Sequence, residues 1–297
     1  MSIGKRLLGK AAPAVVRGLR GWLRKKNPQQ VQRLGERLGR LWMRRDRKRR
    51  DTAIENLGMA MPALSRPERE ALTERVFVHF GRAAVEFLAG TQETLEQIES
   101  TTDFEGTERL DAALAQGKGV LLITGHIGNW ERVSAWLSMK GYKLNVVARD
   151  ADQGDLNQLV NERREGPGTR VIPRGNAARP ILERLKANEI VGILPDQNAE
   201  DIFIPFFGKP AGTNLGPGVI QARTQSVVLP VYCVRQPNGR YRMVFDEYLE
   251  PEPGFETKGE GLMRAINRWL EGVIRAYPEQ WLWVHDRWRN ARRQGLL

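Results

Sequence analysis

The residues best suited to chemistry lie between Gly119 and Glu131. Val120 to Ile123 is a short apolar run of mostly branched residues bounded by glycines, which predicts a buried strand. Gly125 breaks that run and His126 follows. Asn129 is placed to cap a helix whose apolar positions are Trp130, Val133 and Leu137. Such a strand–turn–helix sets His126 at the carboxyl end of a sheet strand, where open α/β folds bind ligands. Glu131 lies five residues on. On a continuous helix that spacing separates two side chains by about 140°. The carboxylate is therefore expected to fold back onto an imidazole held in the turn. A carboxylate on one ring nitrogen fixes the tautomer and leaves the other nitrogen free to take a proton from a hydroxyl. A lone histidine at a strand end usually only packs or caps. Here the strand, the glycines and the acid together favour a base with its orienting group. No nucleophile accompanies the pair, so the substrate has to supply one.

The elements needed to hold this pair follow in the chain. The patterns predict strands over 120–124, 144–148, 170–172 and 190–194, alternating with helices over 130–139, 155–163 and 177–187. That alternation implies a mostly parallel central sheet flanked by helices. Two late strands are expected over 227–234 and 241–248, joined through Pro237, Asn238 and Gly239, before a C-terminal helix over 259–277. Arg149, Arg174 and Asp196 fall at three successive strand ends. Arginines there suit a phosphate or an oxyanion, with Asp196 expected to hold one of them. The Gly128 and Asn129 amides are further oxyanion candidates. Phe206, Phe207 and Gly208 sit in an expected loop over 204–213. The candidate substrate-binding set is thus Asn129, Arg149, Arg174, Asp196, Phe206, Phe207 and Gly208.

At 297 residues the chain can bury one large α/β core. Cys233 is the only cysteine, so neither a disulfide framework nor a cysteine metal cluster is expected. Three histidines without His-Glu-x-x-His spacing give no reason to expect a metal, and no Gly-x-Ser-x-Gly elbow suggests a serine hydrolase. The net charge of +12 is concentrated at one end. Residues 1–50 carry 17 Lys and Arg against 2 Asp and Glu, leaving 30 basic and 33 acidic residues elsewhere. A fold that grips nucleic acid would spread its basic residues more widely, so no nucleic-acid partner is expected. Ile3, Leu7, Leu8, Ala11, Val15, Leu19, Trp22 and Leu23 recur at helical spacing among basic residues, with Pro13 a kink. Residues 1–45 are expected as basic amphipathic helices on an anionic membrane surface, and residues 46–297 as the catalytic domain. A helix packed on the core and a nucleic-acid arm are the other readings of that segment. No run approaches the ~20 apolar residues of a membrane span, and none resembles the h-region of a signal peptide.

Several blocks together resemble the late acyltransferases of lipid A biosynthesis, the lauroyl and myristoyl transferases of the lysophospholipid acyltransferase superfamily. They are the His-x4-Glu pair of His126 and Glu131, Arg149 after the next strand, and Pro195-Asp196-Gln197. Pro205 to Ala211 (Pro-Phe-Phe-Gly-Lys-Pro-Ala) and Pro278 to Arg287 (Pro-Glu-Gln-Trp-Leu-Trp-Val-His-Asp-Arg) complete the set, with Arg50 to Leu57 similar to an N-terminal helix of the family. The resemblance spans roughly residues 45–290. It implies a glycerolphosphate-acyltransferase-like α/β fold and transfer of a fatty acyl chain to a hydroxyl of a membrane glycolipid, foremost a lipid A precursor. The donor would be acyl carrier protein or a coenzyme A thioester, with no further cofactor. It also implies a place on the cytoplasmic face of the bacterial inner membrane, peripheral or monotopic since the usual N-terminal transmembrane helix is lacking. A lysophospholipid or phosphatidylinositol mannoside-like acceptor, or a non-catalytic basic membrane-binding protein, are the alternatives.

Overall fold

The computed structural model describes residues 18, 21–23, 25–89, 93–148, 168–173, 175 and 177–297. The N-terminal stretch around Pro13, the helix predicted over 155–163, Arg149 and Arg174 lie outside the described residues.

The α/β region is preceded by α1 (Pro28–Arg45), α2 (Arg47–Ala60) and α3 (Arg66–Ala89). Asn27 starts α1 with a capping box, accepting from the Gln30 amide at 2.9 Å, and Pro28 costs no helical hydrogen bond at that position. Glycines let α1 and α3 touch backbone to backbone: a Cβ on Gly39 would stand 2.2 Å from the Phe77 carbonyl oxygen, and one on Gly81 2.3 Å from that of Gly35. The basic segment is therefore packed against the fold from residue 28. Its outer surface still presents Trp22, Leu38 and Leu41, each nearly half exposed, among arginines. No helix among the described residues is long and apolar enough to cross a membrane.

The α/β region runs α4 (Leu95–Ser100), β1 (Thr102–Glu105), α5 (Glu108–Ala115), β2 (Val120–Ile123), α6 (Trp130–Met139), β3 (Leu144–Ala148), β4 (Arg170–Pro173), α7 (Ala178–Lys186) and β5 (Ile190–Ile193). It continues with β6 (Ile202–Phe206), β7 (Lys209–Thr213), α8 (Gly216–Thr224), β8 (Val227–Arg235), β9 (Tyr241–Phe245) and α9 (Glu260–Ala276). Seven strands form one sheet in the order β1-β9-β8-β2-β5-β3-β4, parallel throughout except at β8–β9. The predicted mostly parallel sheet is what the structure shows. All four residues of β2 are buried, as expected for a strand covered on both faces. Leu121 and Ile123 face the core shared with α2, α3 and α9, whereas Val120 and Leu122 face α5 and α6.

The segment predicted as a loop over 204–213 is instead an antiparallel hairpin, β6 with β7. Pro205 and Pro210 hid its strand character, yet they stand opposite one another and Ile204 and Phe206 point into the core. The turn needs left-handed backbone at Phe207 and Gly208, with φ of 52° and 70°. Glu271 accepts from the Phe207 amide at 2.7 Å, which helps hold that strained residue in place.

Candidate active site

After β2, the chain turns through Gly125 to Asn129 and enters α6. Every amide of the turn's second half is committed. Gly128 N–H donates to the Gln280 carbonyl at 2.9 Å and Asn129 N–H to the Cys233 carbonyl at 2.7 Å. The Leu282 amide donates to the His126 carbonyl at 3.1 Å, and Ile127 bridges to Trp281. Gly128 has φ of 60°, and a Cβ there would stand 2.0 Å from the Cys233 oxygen, so no other residue fits. His79, buried, lies 3.2 Å from the Gly128 oxygen through Nε2, which must carry the proton to donate. Burial holds that imidazole neutral, with its pKa down to about 3. The oxyanion role expected for the Gly128 and Asn129 amides is thus excluded by their bonds to the fold. The Asn129 side chain is the α6 cap, accepting from Arg132 N–H at 3.1 Å.

The turn presents His126, whose side chain is 22% exposed, against Asp196, whose side chain is 2% exposed. Nδ1 lies 2.7 Å from Asp196 Oδ1. The other carboxylate oxygen accepts from the His126 backbone amide at 2.7 Å and from the Trp281 indole at 2.9 Å. Burial disfavours the ionised Asp196, but the facing imidazole and these donors outweigh it and bring its pKa down to about 2. The carboxylate is therefore charged, Nδ1 carries a proton, and Nε2 offers its lone pair. The Gln197 side-chain amide stands 3.4 Å from that lone pair, and the Trp130 ring packs edge-on with centroids 5.2 Å apart.

This arrangement corrects two expectations. The carboxylate on Nδ1 belongs to Asp196, not Glu131, and Asp196 holds the histidine instead of an arginine. The cause is sheet register. β2 and β5 are hydrogen-bonded neighbours with Ile123 opposite Ile193, and three residues beyond each of these come His126 and Asp196. Glu131, in the first turn of α6, accepts from the Trp130 indole at 3.0 Å and lines the cavity in front of His126.

That cavity has a volume of about 540 Å³, within the range of small-molecule sites. His126, Gln197 and Asn198 line it from beyond the strand tips and Glu131 from the start of α6, and aliphatic residues form most of the remaining wall. Two polar atoms of its lining residues, Thr124 Oγ1 and Asn198 Nδ2, are buried and find no partner among the described residues. Phe206, Phe207 and Gly208 are not brought here. Phe206 packs on Trp281 and Trp288, and Phe207 on Trp283, because the hairpin turns its aromatic pair into the core. No group of three or more His, Cys, Asp or Glu among the described residues is arranged to hold a metal.

The C-terminal segment supplies supports that sequence reasoning did not assign. His285 Nε2 accepts from the Asn198 amide at 3.0 Å, which fixes the loop carrying Gln197. Burial lowers the pKa of His285 to about 4, so it remains neutral with its proton on Nδ1. Arg287 is fully buried behind this loop, donating to the Gly212 carbonyl and to Thr213 Oγ1, with its ring-facing side over Phe206. Burial pulls its pKa down to about 10, opposed by the Asp196 charge.

Residues 15–290 match the family described as bacterial lipid A biosynthesis acyltransferase. The chain is 28% identical over 192 residues to a phosphatidylinositol mannoside acyltransferase of Mycobacterium tuberculosis (strain CDC 1551 / Oshkosh), an alignment covering 62% of this chain and 58% of that protein. It is 26% identical over 262 residues to the lipid A biosynthesis palmitoleoyltransferase of Escherichia coli K12, covering 86% and 84% of the two chains. With the lauroyltransferase of the same organism it shares 25% over 267 residues, covering 88% and 85%. On the extent of the family match, the chain belongs to the bacterial lipid A biosynthesis acyltransferases.

Proposed function

We propose that the protein transfers a fatty acyl chain from a thioester donor, acyl carrier protein or coenzyme A, to a hydroxyl of a membrane glycolipid. The observation that carries this reading is the imidazole of His126, locked by Asp196 and turned with Nε2 toward a largely apolar cavity. In this reaction Nε2 takes the proton of the acceptor hydroxyl as its oxygen attacks the thioester carbonyl carbon. The carbon–oxygen bond forms and charge collects on the carbonyl oxygen. Collapse of that intermediate breaks the carbon–sulfur bond, and the imidazolium returns its proton to the leaving thiolate. Asp196 stabilises the imidazolium between the two steps. General-base action of this kind contributes about 10²–10⁴ in rate.

Thr124 and Asn198 carry buried donors without a partner among the described residues, which suits them to the oxyanion. Arg149 is assigned the same role from its place in the sequence directly after β3. Glu131 faces the same cavity and is assigned to substrate positioning. The acceptor is read as a lipid A precursor because the two Escherichia coli transferases align over most of this chain. The mycobacterial relative supports a mannosylated phosphoinositide as the second candidate. The basic N-terminal helices would hold the enzyme on the anionic cytoplasmic face of the inner membrane, each basic residue near the surface contributing about 1 kcal/mol. Mass spectrometry of lipids from cells with and without the protein tests the reading. A glycolipid lacking one acyl chain in the deleted strain is expected, and unchanged lipids would refute it.

A further inference from the structure

Most of the tightly packed glycines in this fold are required by their neighbours. At Gly39, Gly81, Gly128 and Gly218 a Cβ would stand between 2.0 and 2.3 Å from a backbone oxygen. Gly192 differs. It lies in the middle of β5, and the nearest atom to its Cβ position is Val146 Cγ1 at 3.5 Å, ordinary contact. Its φ is not positive, so no turn demands it. A strand-interior glycine costs stability relative to alanine and marks a bulge, a tight bend, or a place where another backbone or a ligand comes close. The regular register of β5 with β2 and β3 removes the first, and the open Cβ position removes a close backbone.

Register shows what the missing side chain leaves open. Gly192 stands between Leu122 on β2 and Val146 on β3, directly opposite both. With strands about 4.8 Å apart, the row Leu122–Gly192–Val146 leaves a trough about 10 Å wide between flanking Cα atoms. Val133 and Leu137 of α6 roof the trough and Leu144 extends its wall, and all six residues line the cavity that opens at His126. From Gly192 to Asp196 the chain advances at most about 13 Å. An extended chain gains roughly 1.2 Å per bond, so Gly192 flanks about the tenth carbon of an acyl group whose carbonyl sits at His126.

Resting on the acyl-transfer reading above, we infer that Gly192 is a specificity determinant, leaving the throat through which the distal half of a long donor chain passes between α6 and the sheet. Chains short of this point do not reach it. The test measures kcat/KM of purified wild type, Gly192→Ala and Val146→Ala with acyl thioesters of eight to sixteen carbons. In parallel, binding of free fatty acids of the same lengths is followed by calorimetry, which needs no acceptor. Gly192→Ala is expected to leave eight-carbon chains within about twofold and to lower fourteen- and sixteen-carbon chains about tenfold or more in both readouts, as added bulk in a packed slot does. Val146→Ala widens the throat and should favour the longer chains. An equal effect at every length, or none, overturns the inference while transfer by the wild type stands. Length-dependent fatty-acid binding without any transfer would overturn the reaction assigned above and keep the throat.

Discussion

Replacing Asp196 by asparagine should stop the reaction by moving one proton. Asp196 Oδ2 accepts from two fixed donors, the His126 amide and the Trp281 indole, at 2.7 and 2.9 Å. The single oxygen of an asparagine has to stay with those donors, which turns its NH2 group toward His126 Nδ1. Nδ1 then becomes the acceptor, and the imidazole proton moves to Nε2, the nitrogen that should act as base. Restoring the active tautomer would require the amide to flip and leave two buried donors unpaired, at about 1–3 kcal/mol each. That sum corresponds to a fall of roughly 30-fold to 10⁴-fold, in the same range as the general-base contribution it removes. The assay is single-turnover acyl transfer at saturating donor, alongside nitrogen NMR of ¹⁵N-histidine-labelled protein. With three histidines in the chain, each ring can be assigned by substitution. The wild type should show His126 and His285 protonated on Nδ1 and His79 on Nε2, and Asp196→Asn should switch His126 alone. Transfer within tenfold of wild type, or an unswitched His126 ring, would mean that Asp196 does not set the tautomer on which the reaction depends.

Further outcomes follow from the same geometry. Glu131→Gln should lower turnover yet leave the His126 tautomer unchanged, because the Nδ1 partner is intact; the same NMR spectrum checks this. His79 and His285 are held neutral in the fold, with pKa values of about 3 and 4 against an ordinary 6.5. The unfolded chain therefore binds their protons first. Their stabilisation is complete above pH 6.5 and is lost as pH falls toward 4 and 3, at about 1.4 kcal/mol per unit for each. The unfolding free energy from denaturant titrations should fall accordingly between pH 6.5 and 5, by about 3 kcal/mol in total, and Asp196 adds to the loss only below about pH 4. Gly39→Leu should separate α1 from α3 at a cost of about 1–3 kcal/mol, read as faster proteolysis after the basic residues of α1. Binding to anionic vesicles should be strong at low salt and weaken steeply toward 1 M, where the Debye length is about 3 Å, with neutral vesicles binding little.

The strand, turn and helix around His126 were legible because their signals are local. α6 runs over Trp130–Met139 and β3 over Leu144–Ala148, as the apolar periodicity predicts. The partner of His126 was not legible. Glu131 is its neighbour in sequence, but Asp196 is its neighbour in the sheet, and strand order is a property of the whole fold. Once β2 and β5 are known to pair, the common offset of 70 residues brings His126 and Asp196 together. The backbone amides of Gly128 and Asn129 looked free for an oxyanion, since helix starts expose such groups. The C-terminal segment occupies Gly128, and the Cys233 carbonyl of β8 occupies Asn129. The same segment places Trp281 on Asp196, a contact across 85 residues that no periodicity records.

Mixing the purified protein with an acyl thioester and a dispersed lipid A-type acceptor, and counting both products, shows whether His126 drives acyl transfer. One ester should form for each thiol released, and His126→Ala should reduce both by about 10²–10⁴. Thiol released without ester would mean hydrolysis in place of transfer, and full transfer by His126→Ala would mean that His126 is not the base.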